Sequence, residues 1–268
     1  MKLSVSNIAW DEAENDAVLA LLAGARVSGI EIAPTKLWPD WRGASRKAAE
    51  AAAHSLKSRG FDVPALQAIL FGKPELSVFG DAPVRAALLD HIEFVAEIAA
   101  GFGAGVLVFG SPKNRDPGEL PVREALARGA EFFRAAGERC APYGVCLCLE
   151  PNPARYACRF MTSWRDVKDM ATRVDHENVG IHLDAACIEL EGDSAVDAVS
   201  ACAGRIAHFH ATEPDLGDFT EPQMPHAEIG AALRAAEYDN WISIEMRRSN
   251  DPLESIEKAV AEVWRCYG

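Results

Sequence analysis

The sequence predicts a single α/β domain over residues 1–268, in which eight strand-helix units close into a parallel barrel, a (β/α)8 TIM barrel. Three observations predict it. Eight short apolar runs of strand character recur along the chain, with helical periodicity between them. Glycines such as Gly24, Gly60, Gly103 and Gly144 fall where each helix would stop and the chain would turn back toward the next strand. Four apolar runs end in metal-liking side chains, at Glu150, Asp184, His210 and Glu245, spaced roughly 25–35 residues apart, the length of one strand-helix-strand passage.

Taken in order, the strand-like runs are Leu3 to Ile8, Gly29 to Ala33, Val63 to Ile69, Gly105 to Phe109, Val145 to Glu150, Val179 to Asp184, Ile206 to Ala211 and Trp241 to Met246. Helical patterns between them include A-V-L-A-L-L-A-G (17–24), R-K-A-A-E-A-A-A-H-S-L-K-S-R-G (46–60) and V-R-A-A-L-L-D-H-I-E-F-V-A-E-I-A-A-G-F-G (84–103). No G-x-G-x-x-G follows the first strand, which argues against a nucleotide-binding open sheet. The longest loops follow strands two, four, five and seven, and all would gather on the carboxyl rim, where barrel loops build a site.

A formal net charge of −13 argues against a nucleic-acid surface, which would need a clustered basic face. No apolar stretch approaches the roughly 20 residues of a membrane span, and the first residues run straight into strand-like sequence. A cytoplasmic enzyme is expected. Seven cysteines form no secreted disulfide framework, and Cys146 and Cys148 read as small buried hydrophobes of strand five.

At the rim, three carboxylates and one imidazole would face a common point. Like charges that close raise one another's pKa unless a divalent cation neutralises them. The O3N set Glu150, Asp184, His210 and Glu245 suits Mn²⁺, the expected ion, and also Mg²⁺ or Co²⁺, with Zn²⁺ admitted. Strand alternation puts His182 on the face of Asp184, His208 on that of His210 and Ser243 on that of Glu245, one layer deeper, where they would orient the ligands, His182 being also a candidate substrate contact. Lys113 and Arg115, in F-G-S-P-K-N-R, either hold a phosphate or carboxylate of the substrate, with Arg155 and Arg247 as further positive charge, or belong to an exposed, solvated loop. Glu31 and Gln67 fall at rim positions suited to sugar hydroxyls, Glu31 having a structural ion pair as its alternative role. Trp10, Trp38 and Trp41 would supply an apolar wall, packing or dimer contacts.

The four strand-end residues, the G-I-E-I run of strand two and the closing A-E-Y-D-N-W-I-S-I-E resemble the xylose-isomerase-like barrel superfamily, in its sugar isomerase and epimerase branch, over essentially the whole chain. The resemblance implies that Glu150 and Glu245 bind the metal and act as the acid/base pair, while Asp184 and His210 complete the coordination. It implies a small sugar as partner, possibly an anionic one, and allows a homo-oligomer. Proton removal beside a carbonyl, through an enediolate, would serve epimerisation or aldose–ketose isomerisation. Loss of a β-hydroxyl on the same scaffold, as in keto-inositol and dehydroshikimate dehydratases, is the alternative, followed by a non-catalytic sugar-binding barrel. Two departures stand out. Where many relatives carry D-x-x-H this chain reads Asp184-Ala185-Ala186-Cys187, and the loop after His210 has no arginine. His226, in M-P-H-A-E-I-G, is similar to part of a three-zinc endonuclease pattern, but the missing histidine and the acidic charge leave it as a substrate contact or a loop residue.

Overall fold

The computed structural model describes residues 1–268. Parallel strands β1 (Lys2–Ser6), β2 (Gly29–Glu31), β3 (Ala65–Leu66), β4 (Val106–Phe109), β5 (Cys146–Leu149), β6 (Val179–Asp184), β7 (Ile206–Thr212) and β8 (Trp241–Glu245) pair in the order β2-β1-β8-β7-β6-β5-β4-β3. Parallel bridges Gly29–Asp62 and Ile32–Leu66 join the two outer strands, so the sheet is a nearly closed barrel. The expected (β/α)8 architecture is present.

Around it lie α1 (Asn15–Gly24), α2 (Pro34–Leu37), α3 (Arg46–Ser58), α4 (Ala82–Phe102), α5 (Val122–Cys140), α6 (Trp164–Val174), α7 (Ala185–Leu190), α8 (Ala195–Ala201), α9 (His226–Ala235) and α10 (Pro252–Tyr267). Side-chain caps start several of them. Ser45 accepts from Ala48 N, Asp81 from Val84 N, Ser163 from Asp166 N and Asp251 from Glu254 N, each satisfying a helix donor that would otherwise lack a partner. Gly103, at φ 74°, ends α4 in the left-handed conformation that glycine adopts without penalty. No helix is long and apolar enough to cross a membrane.

Most strands are shorter than the sequence suggests, and two of them end early for a visible reason. β1 stops at Ser6, whose hydroxyl accepts from Ile8 N and starts a 3-10 turn. β3 has only Ala65 and Leu66 in the ladder, because Ala68 turns left-handed at φ 52°.

One feature of register matters for the site. Between β6 and β7 the pairing shifts at Ile181/His182, so that His182 lies beside His208 and Asp184 beside His210. A β-bulge of this kind re-aims side chains. Close packing at that level depends on Gly180, where a Cβ would stand 2.8 Å from Cys146 Sγ and 3.0 Å from Ala207 Cβ. Cys146 and Cys148 are free thiols, as are the other five cysteines.

The barrel interior departs from the branched aliphatic filling usual in this fold. Ser4, Ser6, Glu31, Gln67, His182, His208, His210 and Ser243 are all buried. Buried polar groups cost free energy unless paired. The barrel's stability therefore depends on what these side chains bind.

Candidate metal centre

Glu150 follows β5, Asp184 ends β6, His210 lies in β7 and Glu245 ends β8, and all four are buried. Glu31, below them on β2, fixes the imidazole: His210 Nε2 lies 3.1 and 3.0 Å from its two oxygens. That pairing turns His210 Nδ1 toward the carboxylates, 3.1 Å from Glu245 Oε2, 3.9 Å from Asp184 Oδ2 and 4.0 Å from Glu150 Oε1. A carboxylate behind a ligating imidazole selects the tautomer and sets the ring orientation.

The other ligand candidates are held as firmly. Asp184 Oδ1 accepts from Cys187 N and from the Thr212 hydroxyl, both at 2.7 Å, which leaves Oδ2 facing the cluster. Glu150 Oε2 accepts from Asn152 Nδ2 at 3.3 Å, and Asn152 Oδ1 in turn accepts from Arg115 Nη2 at 2.6 Å. Gly110 makes room, since a Cβ there would stand 1.5 Å from Glu150 Oε2. Thr212, Asn152 and Gly110 were missed in the sequence. Strand alternation alone would have flagged Thr212, two residues beyond His210.

Charge at the centre is unbalanced. Burial, reinforced by Glu150 and Glu245, pushes the Asp184 carboxyl up to about 7. Burial also raises Glu150 and Glu245, against the pull of His210. For Glu31 burial acts in the same sense, but His210 and His208 outweigh it and hold the carboxyl well below its ordinary value. His210 is the counterpart: burial would lower it, yet Glu31 and Glu245 raise it well above the usual imidazole range. His182 is kept neutral, first by burial and then by the two neighbouring histidines. Three carboxylates short of positive charge and an imidazole nitrogen turned toward them fit a divalent cation.

A pH dependence follows. Without a cation Asp184 stays protonated up to about pH 7, whereas in the unfolded chain it ionises near its ordinary value, so its ionisation destabilises the cation-free fold as pH rises through that window. A cation binds the ionised form and removes that penalty. The increase in melting temperature on adding Mn²⁺ or Co²⁺ is therefore expected to grow between about pH 5 and 8. A shift independent of pH would contradict this electrostatic account.

A cavity of about 210 Å³ opens over the cluster, lined among others by Gln67, Ser111, Asn152, Tyr156, Glu213 and Leu216. Of the residues expected to touch substrate, Gln67 lines it, its amide donating to the Ser6 hydroxyl. The others do not line it. Glu31 and His182 lie beneath the cluster. Lys113 is exposed in a 3-10 turn, and Arg115 is fully buried, donating to Phe109 O as well as to Asn152. The anion subsite expected at Lys113 and Arg115 is thus replaced by a structural arginine that supports Glu150 through Asn152.

Arg155 and Arg247 are likewise committed to protein. Arg155 pairs with the Asp215 carboxylate and Arg247 donates to Asp215 O, while Asp215 N donates to the Tyr156 hydroxyl at 2.9 Å. These contacts pin the loop after β7, where Asp215 and Leu216 are both left-handed at φ 56° and 55°, and Leu216 is set against the cavity. His226 is buried, with Nδ1 on the Tyr267 hydroxyl at 2.7 Å and Nε2 on Glu213 Oε1 at 2.9 Å, so it positions Glu213. Trp10, Trp38 and Trp41 do not line the cavity. A larger cavity, about 640 Å³, opens at the opposite end of the barrel without a converging donor set.

A parallel eight-stranded barrel with carboxylates and an imidazole gathered at its carboxyl rim belongs to the class of (β/α)8 proteins that carry their site at that face. The family model described as Xylose isomerase-like TIM barrel matches residues 19–265, and the chain belongs to that family. Over 119 residues, 44% of this chain and 41% of the relative, the sequence is 28% identical to the D-psicose 3-epimerase of Agrobacterium fabrum (strain C58 / ATCC 33970). The match thus spans about two-fifths of that relative's length. A crystal structure of D-psicose 3-epimerase in the presence of D-fructose is similar with a TM-score of 0.83 at 20% identity, covering 100% of both chains. The 3-keto-D-glucoside 4-epimerase of E. coli, in its apo form, is similar with a TM-score of 0.77 at 18% identity, covering 99% of this chain and 100% of that one. At these identities the structural likeness concerns the fold.

Proposed function

We propose that the protein is a divalent-cation-dependent epimerase or isomerase of an uncharged polyhydroxy ketone, with Glu150 and Glu245 as its acid/base pair. The observation that carries this reading is their placement. β5 and β8 flank β6 and β7 in the sheet, so the two glutamates approach from opposite sides of Asp184 and His210. Both are raised by burial, which brings a carboxyl closer to the proton affinity a general base or acid needs near neutrality. A bound divalent cation would stabilise the negative charge that develops on the substrate's carbonyl oxygen.

The chain's own residues supply the rest. One glutamate takes the proton from the carbon beside the carbonyl, and the other returns a proton to the opposite face. Asn152 and Arg115 keep Glu150 in place, and Glu31 holds His210. The kinship with a D-psicose 3-epimerase supports epimerisation of a ketose.

The uncharged substrate is inferred from the cavity wall, which has Glu150, Asp184, Glu213 and Glu245 but no lysine or arginine. A phosphate or carboxylate on the substrate would face like charge without compensation. Proton NMR of deuterium incorporation from solvent, run on cation-loaded protein with free ketoses and their phosphates, tests both parts. Exchange at a single carbon of a free ketose, with kcat/KM about 100-fold above that of its phosphate, is expected. A preference for the phosphate would overturn the uncharged substrate, and no exchange with any carbonyl sugar would overturn the catalytic reading.

A further inference from the structure

We propose that His182 is a ligand of the centre, joining Glu150, Asp184 and His210 in a set of two nitrogens and two oxygens and shifting its preference from Mn²⁺ toward Co²⁺ or Zn²⁺. The inference rests on the reading of the carboxylate-imidazole cluster as a cation site, and adds a residue to it.

Three observations converge on His182. It is fully buried, and neither ring nitrogen has a hydrogen-bond partner. A buried polar group without a partner costs on the order of 1–3 kcal/mol, so a side chain retained in this state needs a partner of another kind. Second, the ring is packed into the cluster, edge-on to His210 with 4.2 Å between centroids, in the layer that the β6/β7 register shift re-aims. Third, ligand atoms from Glu150, His182, Asp184 and His210 all lie within 4.8 Å of one another.

The distances distinguish ligation from hydrogen bonding. His182 Nε2 is 3.5 Å from Glu150 Oε1, and His210 Nδ1 is 3.9 Å from Asp184 Oδ2 and 4.0 Å from Glu150 Oε1. These separations exceed the roughly 2.7–3.2 Å of a good N–H···O bond. Around a cation with bonds of ~2.1 Å, adjacent ligand atoms stand roughly 3.0–3.4 Å apart and opposite ones about 4.2 Å. The spacing of Glu150, His182, Asp184 and His210 is that of ligands about a common point, while Glu245, hydrogen-bonded to His210 Nδ1 at 3.1 Å, stands at its edge. His182 approaches it from inside the barrel, leaving the cavity side to substrate. A second imidazole favours Co²⁺ and Zn²⁺, whereas an oxygen-dominated set suits Mn²⁺ and Mg²⁺.

X-ray absorption on the Co²⁺-loaded protein counts coordinated imidazoles directly, without need of a variant. Two are expected in the unmodified protein and one in His182→Met, which keeps an unbranched side chain in the same volume. One imidazole in the unmodified protein would overturn the proposal and leave the cation site standing. Competition binding adds a second readout: the preference for Co²⁺ over Mn²⁺ is expected to fall roughly tenfold in His182→Met. An unchanged preference would assign His182 a purely structural role, against the proposal. Failure of the unmodified protein to take up any cation would overturn the underlying reading as well, and so is distinct from the other outcomes.

Discussion

Glutamine in place of Glu150 or Glu245 is expected to lower turnover on the epimerisable ketose by about 10³-fold or more, with the barrel intact. The amide keeps the shape of the carboxyl but cannot accept the carbon-bound proton, and removal of a general base of this kind costs about 10²–10⁴-fold. The two variants should differ in a way that simple loss of cation would not produce. Starting from one epimer, only one glutamate faces the proton that leaves. The variant lacking that glutamate should show neither exchange nor product. The other should still exchange solvent deuterium into the starting sugar while failing to deliver the epimer.

Loss of a ligand is separated from loss of a base by measuring both variants at saturating cation. Stability moves in the opposite direction to activity. Burial raises both carboxyls in the cation-free centre against the pull of His210, so replacing either with an amide removes the cost of a desolvated carboxylate. The cation-free variants are expected to melt higher than the cation-free parent, and to gain less from added cation. Normal turnover in both variants would remove the acid/base assignment.

The strand-end residues were legible in the sequence because the barrel converts a one-dimensional period into convergence. Any polar residue closing an apolar run on β5, β6, β7 or β8 must arrive at the same rim. The direction of a long side chain was not legible. Arg115 sits in a rim loop, and from sequence its charge reads as substrate-facing, but its guanidinium turns inward to Phe109 O and Asn152. Arg155 and Arg247 follow the strands that carry Glu150 and Glu245, yet both meet at Asp215, a residue distant from each of them along the chain.

Register was beyond reach as well. Nothing in V-G-I-H-L-D marks the shift at Ile181/His182 that sets two histidines side by side, and no propensity marks Ala68 as the left-handed residue that ends β3. Gly110 illustrates a third limit. Its need for a missing Cβ comes from the Glu150 carboxylate of the next strand, a contact that exists only once the barrel closes.

Glu31 is where these limits meet, and its replacement separates the two roles open to it from sequence. The structure places it beneath the centre, with both oxygens on His210 Nε2 and Oε1 3.4 Å from His208 Nε2. Glu31→Leu removes the counter-charge of a buried pair, which typically costs about 3–5 kcal/mol. The pair contributes stability between two limits: below the raised pKa of His210, and above the range in which an ordinary glutamate protonates. The deficit of the variant should therefore be largest in mildly acidic solution, above the ordinary glutamate range and below the ordinary imidazole range, and shrink in stronger acid, where the parent's Glu31 becomes protonated. Glu31→Gln preserves an acceptor for the ring and should destabilise less, while still weakening cation binding about 10–100-fold, because His210 loses the charge that orients and polarises it. With the cation saturating, the Michaelis constant of Glu31→Gln for the ketose is expected to stay near that of the parent. A sugar-binding Glu31 gives the reverse pattern, a raised Michaelis constant at unchanged cation affinity, so titrating cation and substrate separately decides between the two.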